Sequence, residues 1–159
     1  MRFVGGDLEQ EDISTLYLGE YTQHLRLHNL VYKNLTEVYK HLPGSLLTFE
    51  LIMGDETMTP EAFELLLTHL TTKCPLLKHL RLDSISTVPF TESRPLSVII
   101  NFISTHITTL LTLNLSRNLI SSSFIDWLAL AFNFKTAEND NDAPLAALKT
   151  LYLCNLRSP

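Results

Sequence analysis

The chain has 159 residues, 45% of them hydrophobic and 18% charged, enough for one domain with a substantial core and an ordinary composition for a globular protein. Its formal net charge of −5, with no basic stripe, argues against a phosphate-binding surface, so no nucleic-acid partner is expected. No run approaches the roughly 18 apolar residues of a membrane span, and the opening MRFVGGDLEQEDIS carries no apolar leader; the chain reads as cytoplasmic, without a membrane partner.

Residues 1–21 read as an N-terminal capping segment or a partial repeat. Asp7 to Tyr21 can form a capping helix, with Asp7 and Gln10 as its box and Ile13, Leu16 and Tyr17 as its packing side. The alternating STLYLGEY reads instead as a remnant strand. From Thr22 onward one pattern recurs, an apolar triplet spaced x-x-L-x-L. It is weak at Thr22, Leu25 and Leu27, then full at Leu46, Phe49 and Leu51, at Leu77, Leu80 and Leu82, at Leu110, Leu113 and Leu115, and at Leu148, Leu151 and Leu153. The first positions are 24, 31, 33 and 38 residues apart, which suits strand-plus-helix units with variable loops.

Between the triplets the period changes from two to that of a helix. Asn34 and Glu37 form a capping box, followed by a stripe of Leu35, Val38, Tyr39 and Leu42 that Pro43-Gly44 ends. Thr59-Pro60 supplies an N-cap and a proline in the first turn, followed by Phe63, Leu66, Leu67 and Leu70. A third stripe runs through Leu96, Ile99, Ile100 and Ile103 after Pro95. A fourth runs through Phe124, Trp127, Leu128 and Ala131, with Ser123 as its cap. Strand, crossover and strand in one direction place parallel strands side by side with the helices on one face. The units are 22–45, 46–76, 77–109, 110–147 and a shortened 148–159, about five repeats in one domain over 22–159.

These residues resemble the leucine-rich repeat family, of the ribonuclease-inhibitor-like and cysteine-containing types. LLTLNLSRNLISSSFIDWLALAF carries Leu110, Leu113, Leu115, Asn118, Ile120, Leu128 and Phe132 at the family's spacing, with Phe124 in place of a small residue. Met58, Ala62, Leu66 and Leu70 restore that spacing in the second unit, and CPLLKHLRL resembles the C-P-x-L-x-x-L-x-L junction. The resemblance implies an α/β leucine-rich repeat solenoid, a right-handed β-α superhelix with a parallel concave sheet and helices on its convex face. The family's turn asparagine is present as Asn118, whereas Leu30, Gly54, Ile85 and Leu156 hold the equivalent places. Those turns must therefore close their backbone bonds otherwise.

Strand alternation sends the leucines inward and the intervening residues to the concave side. The middle row is Arg26, Glu50, Arg81, Asn114 and Tyr152; beside it run His24, Thr48, His79, Thr112 and Thr150, and His28, Ile52, Asp83, Ser116 and Cys154. Glu50 is expected between Arg26 and Arg81. This cluster either keeps an exposed sheet soluble and in register or binds a protein, with His24, Arg26, His28, Glu50, His79, Arg81, Asp83, Asn114 and Tyr152 as the contact set. His24, His28, His79 and Asp83 include metal-ligand types, yet no HExxH or CxxC supports them, and no metal or cofactor is expected.

The remaining features point the same way. Cys74 and Cys154 read as reduced packing residues. Asn34-Leu-Thr and Asn114-Leu-Ser match the glycosylation pattern by accident. AENDNDAP, Ala137 to Pro144, lacks calcium-loop spacing and reads as a solvated loop. The sequence stops at LYLCNLRSP, immediately after a strand, so it reads as a partial array whose last strand edge is open to another subunit or to self-association. The leading expectation is a non-enzymatic protein-interaction module or scaffold with a protein partner. The resemblance also raises regulation of a GTPase through the arginines, or a fragment of a ubiquitin-ligase substrate receptor.

Overall fold

The computed structural model describes residues 2–4, 18–28, 35, 38–53, 58–85, 93–120, 122–131 and 147–154, with the side chains of 2–4, 93–96 and 130–131 left aside. The chain is α/β. Among the described residues, six parallel strands form one sheet in chain order: β1 (Arg2–Val4), β2 (His24–His28), β3 (Thr48–Ile52), β4 (His79–Asp83), β5 (Thr112–Asn114) and β6 (Thr150–Tyr152). Three helices are interleaved among them, α1 (Pro60–Lys73), α2 (Ser93–Thr105) and α3 (Ser122–Ala131), and Leu35 and residues 38–40 are also helical. The strand at residues 2–4 was not legible as such, because RFV is too short to carry a period. The expected helix of Asp7 to Tyr21, the Asn34–Glu37 box, Gly54 and the run 137–144 lie outside the described residues.

Every strand lies beside its successor with matching registers. Leu25 pairs with Phe49, Phe49 with Leu80, Leu80 with Leu113, and Leu113 with Leu151. The first four of those residues are buried, as are Leu27, Leu51, Leu82 and Leu115 in the next inward row. Full burial of one such side chain is worth roughly 1.5–3 kcal/mol. The last triplet differs: Leu148, Leu151 and Leu153 pack against the core yet remain only partly buried.

The backbone repeats as faithfully as the leucines. The carbonyls of Gln23, Leu47, Lys78 and Leu111 each accept two N–H groups from the start of the next strand, at 2.7–3.1 Å. At the other strand end, Met53 donates to the carbonyl of Asp83, Ser84 to that of Ser116, and Arg117 to that of Cys154. These are equivalent positions in successive units. A backbone that places the same donors against the same acceptors three and four times over has no unpaired polar groups to hide at those positions.

The helices cover the leucine side. Thr59 caps α1, accepting from the N–H of Ala62, and Pro60 opens the helix as expected. Phe63, Leu66, Leu67 and Leu70 are buried, and α1 packs against α2. Two expectations shift. In α2 the buried side chains are Ile99, Phe102 and Ile103, with Ile100 only half-buried, and the helix starts two residues ahead of Pro95. Proline is tolerated there because first-turn N–H groups have no intrahelical partner. In α3 the first helical residue is Ser122, so Ser123 lies inside the helix rather than capping it.

Side chains close what the leucines leave open. Asn118 is fully buried; its amide donates to the carbonyls of Leu82 (2.7 Å), Leu115 (3.0 Å) and Ser116 (3.3 Å), while its oxygen accepts from the N–H of Ile85 (2.9 Å). Ile85 holds the equivalent place one unit earlier, and its carbonyl accepts from Met58. One asparagine thus ties its own turn to the preceding one. At the opposite end of the strands, buried Cys74 donates its thiol to the carbonyl of Pro43 (3.7 Å), and the ring of buried His106 lies 3.1 Å from the carbonyl of Cys74 and 3.0 Å from that of Phe102. Burial raises the Cys74 thiol to about 11 against the opposing charge of Lys73. Cys154, by contrast, is exposed and does not pack.

Leu113→Ala should cost about 3 kcal/mol in urea unfolding, as a cavity in a sealed site, and Asn118→Ala about as much, since it strands several buried backbone groups. Leu151→Ala, at the partly buried end, should cost less than half of that. A thiol reagent added to the native chain should modify Cys154 rapidly and Cys74 only on unfolding; rapid reaction of both would contradict this packing.

Candidate functional site

The site is built on the face the leucines do not use. Because strands alternate, the register that stacks Leu25, Phe49, Leu80 and Leu113 also stacks Arg26, Glu50, Arg81, Asn114 and Tyr152 in one row, with Arg2 beside Arg26 at its start. Glu50 therefore lies between Arg26 and Arg81 in register. Its carboxylate pairs with Arg26, Nε to Oε1 at 3.3 Å. Arg81 turns away from it.

Arg81 pairs along its own strand with Asp83, Nη2 to Oδ2 at 2.9 Å, and Arg117 approaches the same carboxylate from the following turn, Nε to Oδ1 at 2.6 Å. Ser84 also donates its hydroxyl to Asp83 Oδ1 at 3.3 Å. Asp83 is only 1% exposed, so it is the buried anchor of this cluster and offers no surface to a partner. Burial alone would push its carboxyl up. The hydrogen bonds from Arg117 and Arg81, reinforced by their charges, outweigh that and hold it below the ordinary value of 3.8. Arg117 is held protonated by the same contact.

Arg117 was not among the residues singled out in the sequence, because it lies in the turn and not in the strand. A local signal does exist in hindsight: it precedes the turn asparagine. Its φ of 60° is left-handed, as is the 57° of Ser84 at the equivalent place one unit earlier. That conformation costs a non-glycine residue about 1–2 kcal/mol, and both residues recover a backbone bond to the next unit. Arg81 is the strained partner in another sense. Its Nε is buried with no acceptor among the described residues.

The flanking rows are mostly structural. His24 Nδ1 lies 3.0 Å from the hydroxyl of Thr48, and His79 Nδ1 lies 3.1 Å from that of Thr112, the same pairing two strands apart. His28 is half-buried, with its Nε2 enclosed and unpartnered among the described residues. Asn114 accepts the N–H of Ser116 through its side-chain oxygen, closing its own turn, and the Ser116 hydroxyl accepts from Cys154 N–H at 3.2 Å. Exposed side chains in the expected contact set are His24, Arg26 and Tyr152, with Tyr152 45% exposed. Glu50, His79 and Arg81 are half-buried.

His24 and His79 are engaged with threonines and Asp83 with arginines, so the histidines and Asp83 do not converge as a ligand set; among the described residues no group of three or more His, Cys, Asp or Glu is placed to hold a metal ion. No described helix is long and apolar enough to cross a membrane.

The depressed Asp83 carboxyl carries a sign. A group whose folded value lies below its unfolded value contributes stability above the unfolded value, near 3.8, and loses it as pH falls through the folded one. Unfolding free energy should therefore decline in acid below about pH 4 partly on account of Asp83. Asp83→Asn should cost about 2 kcal/mol at neutral pH, less than for a fully buried pair because both arginines reach solvent, and should show a shallower acid decline. An unchanged acid profile would remove the ion cluster from the stability of the turn.

Compared with protein-family models, curated proteins and solved structures, the chain matches none of them.

Proposed function

We propose that this chain is a leucine-rich repeat array, coiled as a solenoid with the sheet on its concave side, and that this sheet face binds a protein partner in the cytoplasm without catalysing a reaction. The observation that carries the reading is the single row formed by Arg26, Glu50, Arg81, Asn114 and Tyr152 in consecutive register. A β–α unit repeated with the same backbone bonds presents one broad, regular surface, and such surfaces suit extended contact with another macromolecule. The turn asparagine bridging two units supports the repeat assignment.

Within the row, the residues offered outward belong to the types that dominate binding energy. Arg26 and Tyr152 are exposed, and Arg81 is half-buried, its side chain 38% exposed. Tyrosine buries a large rigid surface at little conformational cost, arginine presents a planar fork of donors, and both recur as interface anchors. The more exposed Arg26–Glu50 pair contributes little to stability, about 0–1 kcal/mol, so stability alone is a weak reason for its place in the row.

Capture of partners from a lysate should fall at least tenfold when Arg26→Ala and Tyr152→Ala are combined, both changes lying at exposed positions. Thr68→Ala, exposed on α1, should leave capture intact. Equal capture by all three forms would move the interface off the sheet.

A further inference from the structure

The sheet face has a charge that the whole chain does not. Three arginines are each held by one nitrogen: Arg26 through Nε to Glu50, Arg81 through Nη2 to Asp83, and Arg117 through Nε to Asp83. A guanidinium carries five N–H donors, so most donors of all three groups are left for something else. Their side chains are 51%, 38% and 47% exposed, whereas those of Glu50 and Asp83 are 18% and 2% exposed. The carboxylates are thus the more deeply buried members of each pair, and the arginine side chains the more exposed, although Nε of Arg81 is itself enclosed. The other described acidic side chains, Glu20, Glu61, Glu64 and Asp126, lie in the turn before β2 and on α1 and α3. Among the described residues, an acidic protein thus carries a strip of three arginines along one face.

We infer that this strip takes an acidic peptide segment of a partner protein, bound through Asp or Glu carboxylates. The inference rests on the protein-binding reading of the sheet and narrows it to one chemistry. Terminal guanidinium nitrogens donate to a carboxylate in a two-bond fork that a lysine cannot offer. Arg26 and Arg81 lie two strands apart, roughly 10 Å, a span that the long arginine side chains can adapt to same-side carboxylates two or four residues apart in an extended chain, about 6.6 or 13 Å. Tyr152, at the far end of the same row, supplies an exposed aromatic surface for an adjoining apolar residue. A nucleic-acid backbone fits less well, because a run of phosphates draws its affinity from many uncompensated cations, whereas two carboxylates need only the free edges of two guanidiniums.

The test is selection of a random dodecapeptide library displayed on phage against the full chain, in parallel with Arg26→Gln, Arg81→Lys and Tyr152→Ser. The expected winners carry paired Asp or Glu residues two or four apart. A fluorescein-labelled copy of the most enriched peptide should bind the Arg26→Gln chain roughly tenfold more weakly, lose affinity with added salt, and lose it again when its Asp and Glu are replaced by Asn and Gln. That last comparison uses the unaltered protein and does not depend on any variant folding. Neutral or basic winners that are lost on Tyr152→Ser would overturn the acidic chemistry while leaving the sheet as the binding face. Winners indifferent to all three changes, or no enrichment, would overturn both.

Discussion

Everything described depends on each strand lying in register beside the next strand in the chain. Side chains alternate along a strand, so a slip of one residue would exchange Leu80 and Leu82 with His79, Arg81 and Asp83. The hydrophobic gain of the leucine rows is large enough to forbid that exchange, and the surface rows follow as a consequence. The face that carries chemistry is thus positioned by residues that never touch it.

The ends of the strands extend the same logic. Asn118 closes its own turn and the preceding one, and the carboxylate of Asp83 joins β4 to the turn after β5 through Arg117. A buried aspartate between two half-exposed arginines is costly to desolvate and is retained only where its partners are well placed. It holds one nitrogen of each guanidinium, so a buried residue fixes the placement of two more exposed ones. Cys74 and His106 act likewise at the other strand end, each reaching back to a carbonyl one unit earlier.

Much of this was legible in the sequence, for a physical reason. Leu46, Phe49 and Leu51 and their counterparts repeat because each unit must bury the same face against its neighbours, and repetition is readable where one copy alone is ambiguous. Thr59-Pro60 announced a helix start because capping is local. Less visible was whatever depends on three dimensions. Alternation placed Asp83 on the outer face, yet two arginines and the adjoining turn bury it. His106 and Arg117 lie outside the period-two pattern and act through neighbours 32 and 34 residues away. The start of α3 at Ser122 shows the ordinary limit of reading a helix boundary from a cap residue with serines on both sides.

The central claim is the register itself, and isotope-labelled chain in solution tests it most directly. Interstrand cross-peaks between amide and α protons should connect Arg26 with Glu50, Glu50 with Arg81, Arg81 with Asn114, and Asn114 with Tyr152. Cross-peaks displaced by one residue, or strands adjacent in another order, would dissolve the charged row and with it the proposed binding face.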